Sequence, residues 1–132
     1  MKNSSQNYPA SERILKKLYS AARAVIKEEG SKGDLCITIT DDARIRRLNK
    51  KYRRIDRATD VLSFEMRERG MLGDIVISVD SAKRNAKRFG VTFGSEVGRL
   101  AVHGALHLLG FDHSKKIDRD RMRKIEDAYL TV

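Results

Sequence analysis

With 132 residues, 40% of them hydrophobic, the chain can build one modest core and has no room for a second, so a single domain is expected. Its 28 lysines and arginines against 18 aspartates and glutamates leave a formal charge of +10, which draws polyanions and favours nucleic acid over an anionic membrane, since no helix pairs a basic face with exposed aromatics. The one cysteine, Cys36, excludes an internal disulfide framework and a cysteine-rich zinc module, and no apolar run is long enough for a bilayer span or a signal peptide, so a cytoplasmic protein is expected with Cys36 as a small core filler.

Residues 1–10 are polar, hold Pro9 and read as a loosely held tail. From Ser11 a helix is predicted, with Ile14, Leu15, Leu18, Ala21, Ala22, Val25 and Ile26 on one face, ending at Gly30 and Gly33. Leu35, Ile37 and Ile39 alternate with Cys36, Thr38 and Thr40, the period of a strand with one face in the core. Asp41 and Asp42 suit a helix start, and Ile45 and Leu48 supply the buried spacing of a short helix to about Asn49 or Lys51. Residues 50–64 form a cation-rich connection into a strand in which Leu62, Phe64 and Met66 alternate with Val61, Ser63 and Glu65.

Arg67 to Gly70 read as a turn. Gly73 to Val79 is the most apolar strand and the best candidate for the sheet centre, with Ile75, Ile77 and Val79 facing one layer and Val76 the other. The short connection before it favours an antiparallel hairpin. Asp80 or Ser81 is expected to cap a basic helix from Ala82 to Phe89, closed by Gly90, and Ser95 and Glu96 to open the next helix. A last amphipathic helix follows Lys115 and Lys116, with Ile117, Met122, Ile125, Ala128 and Tyr129 as its apolar positions. Strands in irregular alternation with helices indicate a compact α+β domain, a small mixed β-sheet packed by about five helices.

All three histidines lie between residues 103 and 113. On a helix from Glu96 to Leu109, advancing about 100° per residue, His103 and His107 share a face one turn apart, and a break at Gly110 can swing His113 back toward them. A lone histidine on an apolar helix is usually a satisfied core residue. Three with a glycine break favour a metal site at the C-terminal end of the helix, and three nitrogen ligands with a fourth position open are the pattern of catalytic zinc. Glu96, Arg99, His103 and His107 form one polar stripe on an otherwise apolar helix. The metallopeptidase helix motif places a glutamate after the first histidine as general base, and here that position is Gly104, so metal-assisted phosphodiester hydrolysis ranks above peptide hydrolysis. An arginine of the 50–64 connection could clamp a phosphate. The residues alone do not choose among Arg53, Arg54 and Arg57, nor against a merely solvated loop.

The run from Val102 to His113 resembles the signature of the YbeY-type endoribonucleases, bacterial ribosomal RNA maturation factors. Leu48 to Arg53, Asp56 with Thr59 to Phe64, and Leu72 to Ile77 match the same family in order and spacing. Ala58 and Glu65 stand where members often have proline, and the polar tail shows no sign of the first strand many members carry. The resemblance implies that residues 1–132 are one metal-dependent endoribonuclease domain with one zinc held by His103, His107 and His113, and with Arg53 and His107 as catalytic residues. It further implies a single-strand-specific enzyme acting in small-subunit ribosomal RNA 3′ end processing and ribosome quality control. Its expected partners are ribosomal RNA, the small ribosomal subunit and assembly factors, without membrane or DNA. The alternatives are a zinc metallopeptidase-like hydrolase and a non-catalytic RNA-binding module with structural zinc. For the general base, Glu96 lies two turns before His103, Asp112 could instead orient a ligand imidazole, and the metal-bound hydroxide could itself suffice.

Overall fold

The computed structural model of the chain describes residues 12–130, so the expected tail and the helix start at Ser11 lie outside the described residues. The elements run α1 (Glu12–Glu28), β1 (Asp34–Thr40), α2 (Asp42–Arg53), β2 (Val61–Glu68), β3 (Met71–Ser78), α3 (Val79–Phe89), α4 (Phe93–Leu108) and α5 (Lys116–Leu130). The strands form one mixed sheet in the order β1-β3-β2, with β1 parallel and β2 antiparallel to β3. The apolar strand is therefore central and the hairpin antiparallel, as the pattern and the short turn require.

Strand alternation sorts the core into layers. Ile75 and Ile77 of β3, with Leu35, Ile37 and Ile39 of β1, face α1 and α4, while Val76 faces the other way, onto Ile45 and Leu62. Helix α4 lies between the sheet and α5: Leu100, Ala101, Ala105 and Leu108 join the sheet-side core, and Val102 and Leu106 pack with Val25 and Met122. A helix covered on both sides can be apolar almost all round, and only a narrow stripe is left for polar side chains. Gly104 lets α4 come down on the sheet, because a Cβ there would sit 2.7 Å from Ile75 Cγ2. Ser63 Oγ donates to the Gly104 carbonyl at 2.9 Å, tying β2 to the same turn.

Several boundaries differ from the predicted ones, each through a capping contact. Helix α2 runs on to Arg53, and Arg54, at φ 59°, closes it in the left-handed conformation. Strand β3 passes into α3 without a loop, so Ser78 is the cap, its side chain accepting from Ser81 N, and not Asp80 or Ser81. Asp80 instead accepts from Asp42 N at 3.0 Å, and Ser81 donates to Asp42 Oδ1 at 2.7 Å. Helix α4 starts at Phe93, capped by Thr92, because Thr92 Oγ1 accepts from Ser95 N at 3.0 Å. At the other end of α4, Leu109 is the cap and Gly110, at φ 99°, makes the turn. Cys36 is half-buried, not a sealed core residue. Ile117 does not pack: it is 83% exposed, and α5 turns inward from Met122 on, with Ile125 and Glu126.

Candidate metal centre

Helical geometry brings His103 and His107 together on α4, with ring centroids 4.7 Å apart. Gly110 then reverses the chain, and the following loop is pinned by Asp112, whose Oδ1 accepts from Ser114 N at 2.9 Å and whose own N donates to Asp118 Oδ2 at 2.9 Å. His113 is thereby turned back onto the pair. His107 Nε2 lies 3.1 Å from His103 Nε2 and 3.2 Å from His113 Nδ1, and one nitrogen from each ring falls within 4.8 Å of the others. A tetrahedral cation about 2.0–2.1 Å from each nitrogen needs nitrogens roughly 3.4 Å apart; the two His107 separations lie close to that value, and three imidazole nitrogens are a donor type such a cation takes.

Electrostatics keep the donors available. Burial, then the neighbouring His103 and His113 rings, push the His107 pKa down to about 4, and Arg53 adds to the effect. At neutral pH His107 is an uncharged imidazole, the form a cation binds. Behind His103 stands a contact absent from the sequence reading: Glu126 Oε2 of α5 lies 3.0 Å from His103 Nδ1. Arg99 Nη1 donates to Glu126 Oε1 at 2.9 Å, and its Nε and Nη2 clasp both oxygens of Glu96 at 2.9 and 2.8 Å. Asn85 Nδ2 donates to Glu96 at 2.9 Å and to Asp60 at 3.2 Å. The expected polar stripe is thus real. Glu96, however, is 1% exposed and committed to Arg99 and Asn85, which removes it as a proton acceptor in the cleft. Asp112 Oδ1 accepts from Ser114 N and Oγ, while Glu126 Oε2 is the carboxylate oxygen that faces the His103 imidazole.

The triad lines a cleft of about 920 Å³ together with Asn49, Tyr52, Arg53, Ser63 and Phe64. Arg53 ends α2, donates through Nη2 to the Ser63 carbonyl, and sits with its guanidinium carbon 5.5 Å from the Phe64 ring centre. Tyr52 meets the same ring edge-on, centroids 5.4 Å apart. Arg57 also lines the cleft, whereas Arg54 serves as the cap of α2. Of the three candidate arginines, Arg53 is the one anchored in the cleft wall by a hydrogen bond and an aromatic face. Gly104, the position of the peptidase glutamate, points at Ile75 in the core and not into the cleft.

The sequence model of the family described as Endoribonuclease YbeY matches residues 1–132. Among relatives bearing that same name, the Desulfitobacterium hafniense protein is 42% identical over 83% of this chain and 78% of its own length. The Desulforamulus reducens protein is 40% identical over 97% and 92%, and the Aquifex aeolicus protein 48% identical over 74% and 69%. The solution structure of TM1509 from Thermotoga maritima superposes with a TM-score of 0.68 at 26% identity, covering 98% of this chain and 85% of that one.

Proposed function

The chain belongs to the YbeY family of endoribonucleases, hydrolases that act on RNA, and from that premise we propose that residues 1–132 form one zinc-dependent domain cleaving single-stranded RNA by metal-assisted phosphodiester hydrolysis. The observation that carries the proposal is the convergence of three imidazole nitrogens, one from each ring and all within 4.8 Å, in a cleft that Arg53 also lines. A structural zinc would have its fourth position filled by protein; here the triad gives onto open cleft, which favours catalysis over a purely structural ion.

His103, His107 and His113 would hold the zinc, which would supply Lewis-acid chemistry at the scissile phosphate. The remaining steps belong to the chain. Arg53 holds the scissile phosphate with a charged planar fork and offsets the charge that builds on it during attack. Its bond to the Ser63 carbonyl and its seat on Phe64 fix the guanidinium before substrate arrives, which limits the ordering cost at the moment of reaction. His107, whose burial and neighbouring imidazoles push its pKa down to about 4, offers an uncharged ring nitrogen at neutral pH. A net charge of +10 steers RNA toward the surface. Peptide hydrolysis lacks support, since the glutamate that chemistry needs is replaced by a glycine whose Cβ position is closed by Ile75.

We place the reaction in maturation of the small-subunit ribosomal RNA 3′ end and in ribosome quality control, with the small subunit and its assembly factors as partners, in the cytoplasm. Family resemblance supports that setting, and among the described residues no helix is long and apolar enough to cross a membrane. The test incubates purified, metal-analysed protein with single-stranded RNA, duplex RNA, DNA and a peptide. Wild type is expected to cut single-stranded RNA alone. His107→Ala is expected to lose both metal and cleavage, and Arg53→Ala to keep its metal and cut about 10²–10³-fold more slowly. Cleavage that persists in metal-free His107→Ala protein contradicts the proposal.

A further inference from the structure

Metal ligands need more than position: the right nitrogen of each ring must carry the lone pair. His103 turns Nε2 toward the other two histidines and Nδ1 toward Glu126. An imidazole has one proton to place when neutral, and the partner of each nitrogen decides where it goes. Glu126 is 7% exposed and its Oε1 accepts from Arg99, so the Oε2 it turns to Nδ1 is the acceptor of that contact. The proton therefore goes to Nδ1, and Nε2 is left with its lone pair aimed at the triad's centre.

We propose that Glu126 is the positioning residue of the metal site, locking His103 in the Nδ1–H tautomer so that Nε2 can bind the cation. The inference rests on the metal reading of the triad and adds to it a residue of a different helix. Two features sustain the lock. Arg99 holds the second oxygen of Glu126 at 2.9 Å and is itself clasped by Glu96, so the carboxylate cannot swing away from the ring. The cluster also places two buried carboxylates, Glu96 and Glu126, against one arginine. The surplus negative charge lies beside His103, where a divalent cation on the far side of the ring offsets it.

The geometry makes a sharp statement about Glu126→Gln, a change of nearly equal shape. Arg99 only donates, so the amide oxygen must face Arg99 and the amide NH₂ must face His103 Nδ1. Nδ1 then has to accept, and the ring proton moves to Nε2, where it blocks the metal. Removing the donor with Arg99→Met in the same chain lets the amide turn round and offer its oxygen to Nδ1 again.

Two measurements test this: chelator competition for zinc, and nitrogen-15 NMR of the imidazoles in metal-free protein. Wild type is expected to show His103 protonated on Nδ1. Glu126→Gln is expected to shift that proton to Nε2 and to bind zinc about 10–100-fold more weakly, with the Arg99→Met double variant recovering part of the loss. A merely structural role would lower the melting temperature of the metal-free chain and leave zinc affinity alone. Wild-type protein with the His103 proton on Nε2 overturns the inference even if the variants fail to fold, as does a folded Glu126→Gln chain whose zinc affinity stays within about twofold of wild type. A wild-type chain that binds no zinc overturns the metal reading and this inference together, whereas equal binding by wild type and variant overturns this inference alone.

Discussion

Gly73 is where the fold tolerates a side chain least, and Gly73→Ala should be severely destabilising. The residue sits at φ 155°, opposite Glu65 on one side and Leu35 on the other, beside the irregularities in both strand pairings. A Cβ there would lie 2.1 Å from the Phe64 carbonyl oxygen and 2.8 Å from Leu108 Cδ2. The first contact is with backbone, which no side-chain rotation can relieve, so β2 must move by about 1 Å to restore van der Waals separation. Placing alanine in this glycine region costs about 1–3 kcal/mol and forcing the strands apart about 1–3 more, or roughly 2–6 kcal/mol in all. That is a large share of the roughly 5–15 kcal/mol that stabilises a typical domain. At about 4 °C per kcal/mol for a chain of this size, the melting temperature should fall by roughly 8–24 °C. Phe64 carries Arg53, and Leu108 follows His107, so the cleft lining shifts with it. Thermal melts and urea titrations read the effect. A melting temperature within about 3 °C of wild type would refute the steric argument.

Gly104→Glu should fail to give a folded chain and should show no peptidase activity in any soluble fraction, because its Cβ already collides with the fully buried Ile75; a folded variant that hydrolyses peptides would show that position 104 can reach the metal. Asp42 gives a pH signature. Burial raises its pKa, but hydrogen bonds from Ser78 and Ser81 and the Arg84 guanidinium outweigh that and hold it below 3.8. A carboxylate with a depressed folded-state pKa stabilises the fold at all pH values above its unfolded pKa, and the contribution is lost as pH falls through the folded one. Asp42→Asn should therefore lower the melting temperature by a constant amount from neutral pH to about 5, and the gap from wild type should close below about pH 4. A gap independent of pH would show that the charge contributes nothing.

Hydrophobic periodicity made the architecture legible. The period-two run of β1, the doubly apolar β3 and the helical spacing of α1 place every element in order, because each reports a face buried against a neighbour. Element ends were less legible. Ser78 looks like the last residue of a strand and is also a helix cap, a double role visible only once β3 is seen to run straight into α3. Ile117 carries the apolar character of a core residue but precedes the point where α5 meets α4. Tyr19 reads as neutral in pattern, yet it is buried with its hydroxyl accepting from Ile37 N at 2.9 Å, a partner 18 residues away. The histidine triad was readable because its members are close in sequence. Glu126 lies 23 residues from His103 and hides among the charges of α5, and its one local signal is its i,i+4 spacing from the buried Met122. Arg53 could not be separated from Arg54 and Arg57 by pattern, since what distinguishes it is a contact with Ser63 and Phe64 of the neighbouring strand β2.

The claim that joins these parts is that three imidazoles hold one metal ion and that RNA cleavage depends on it. It is tested most directly by stripping the purified protein with a chelator and titrating zinc back while following cleavage of a single-stranded oligoribonucleotide. Cleavage should be absent from the stripped protein, rise in proportion to added zinc and saturate at about one equivalent per chain, because the described residues bring together one such donor set. Full cleavage by the stripped protein, or none after one equivalent has bound, would contradict it.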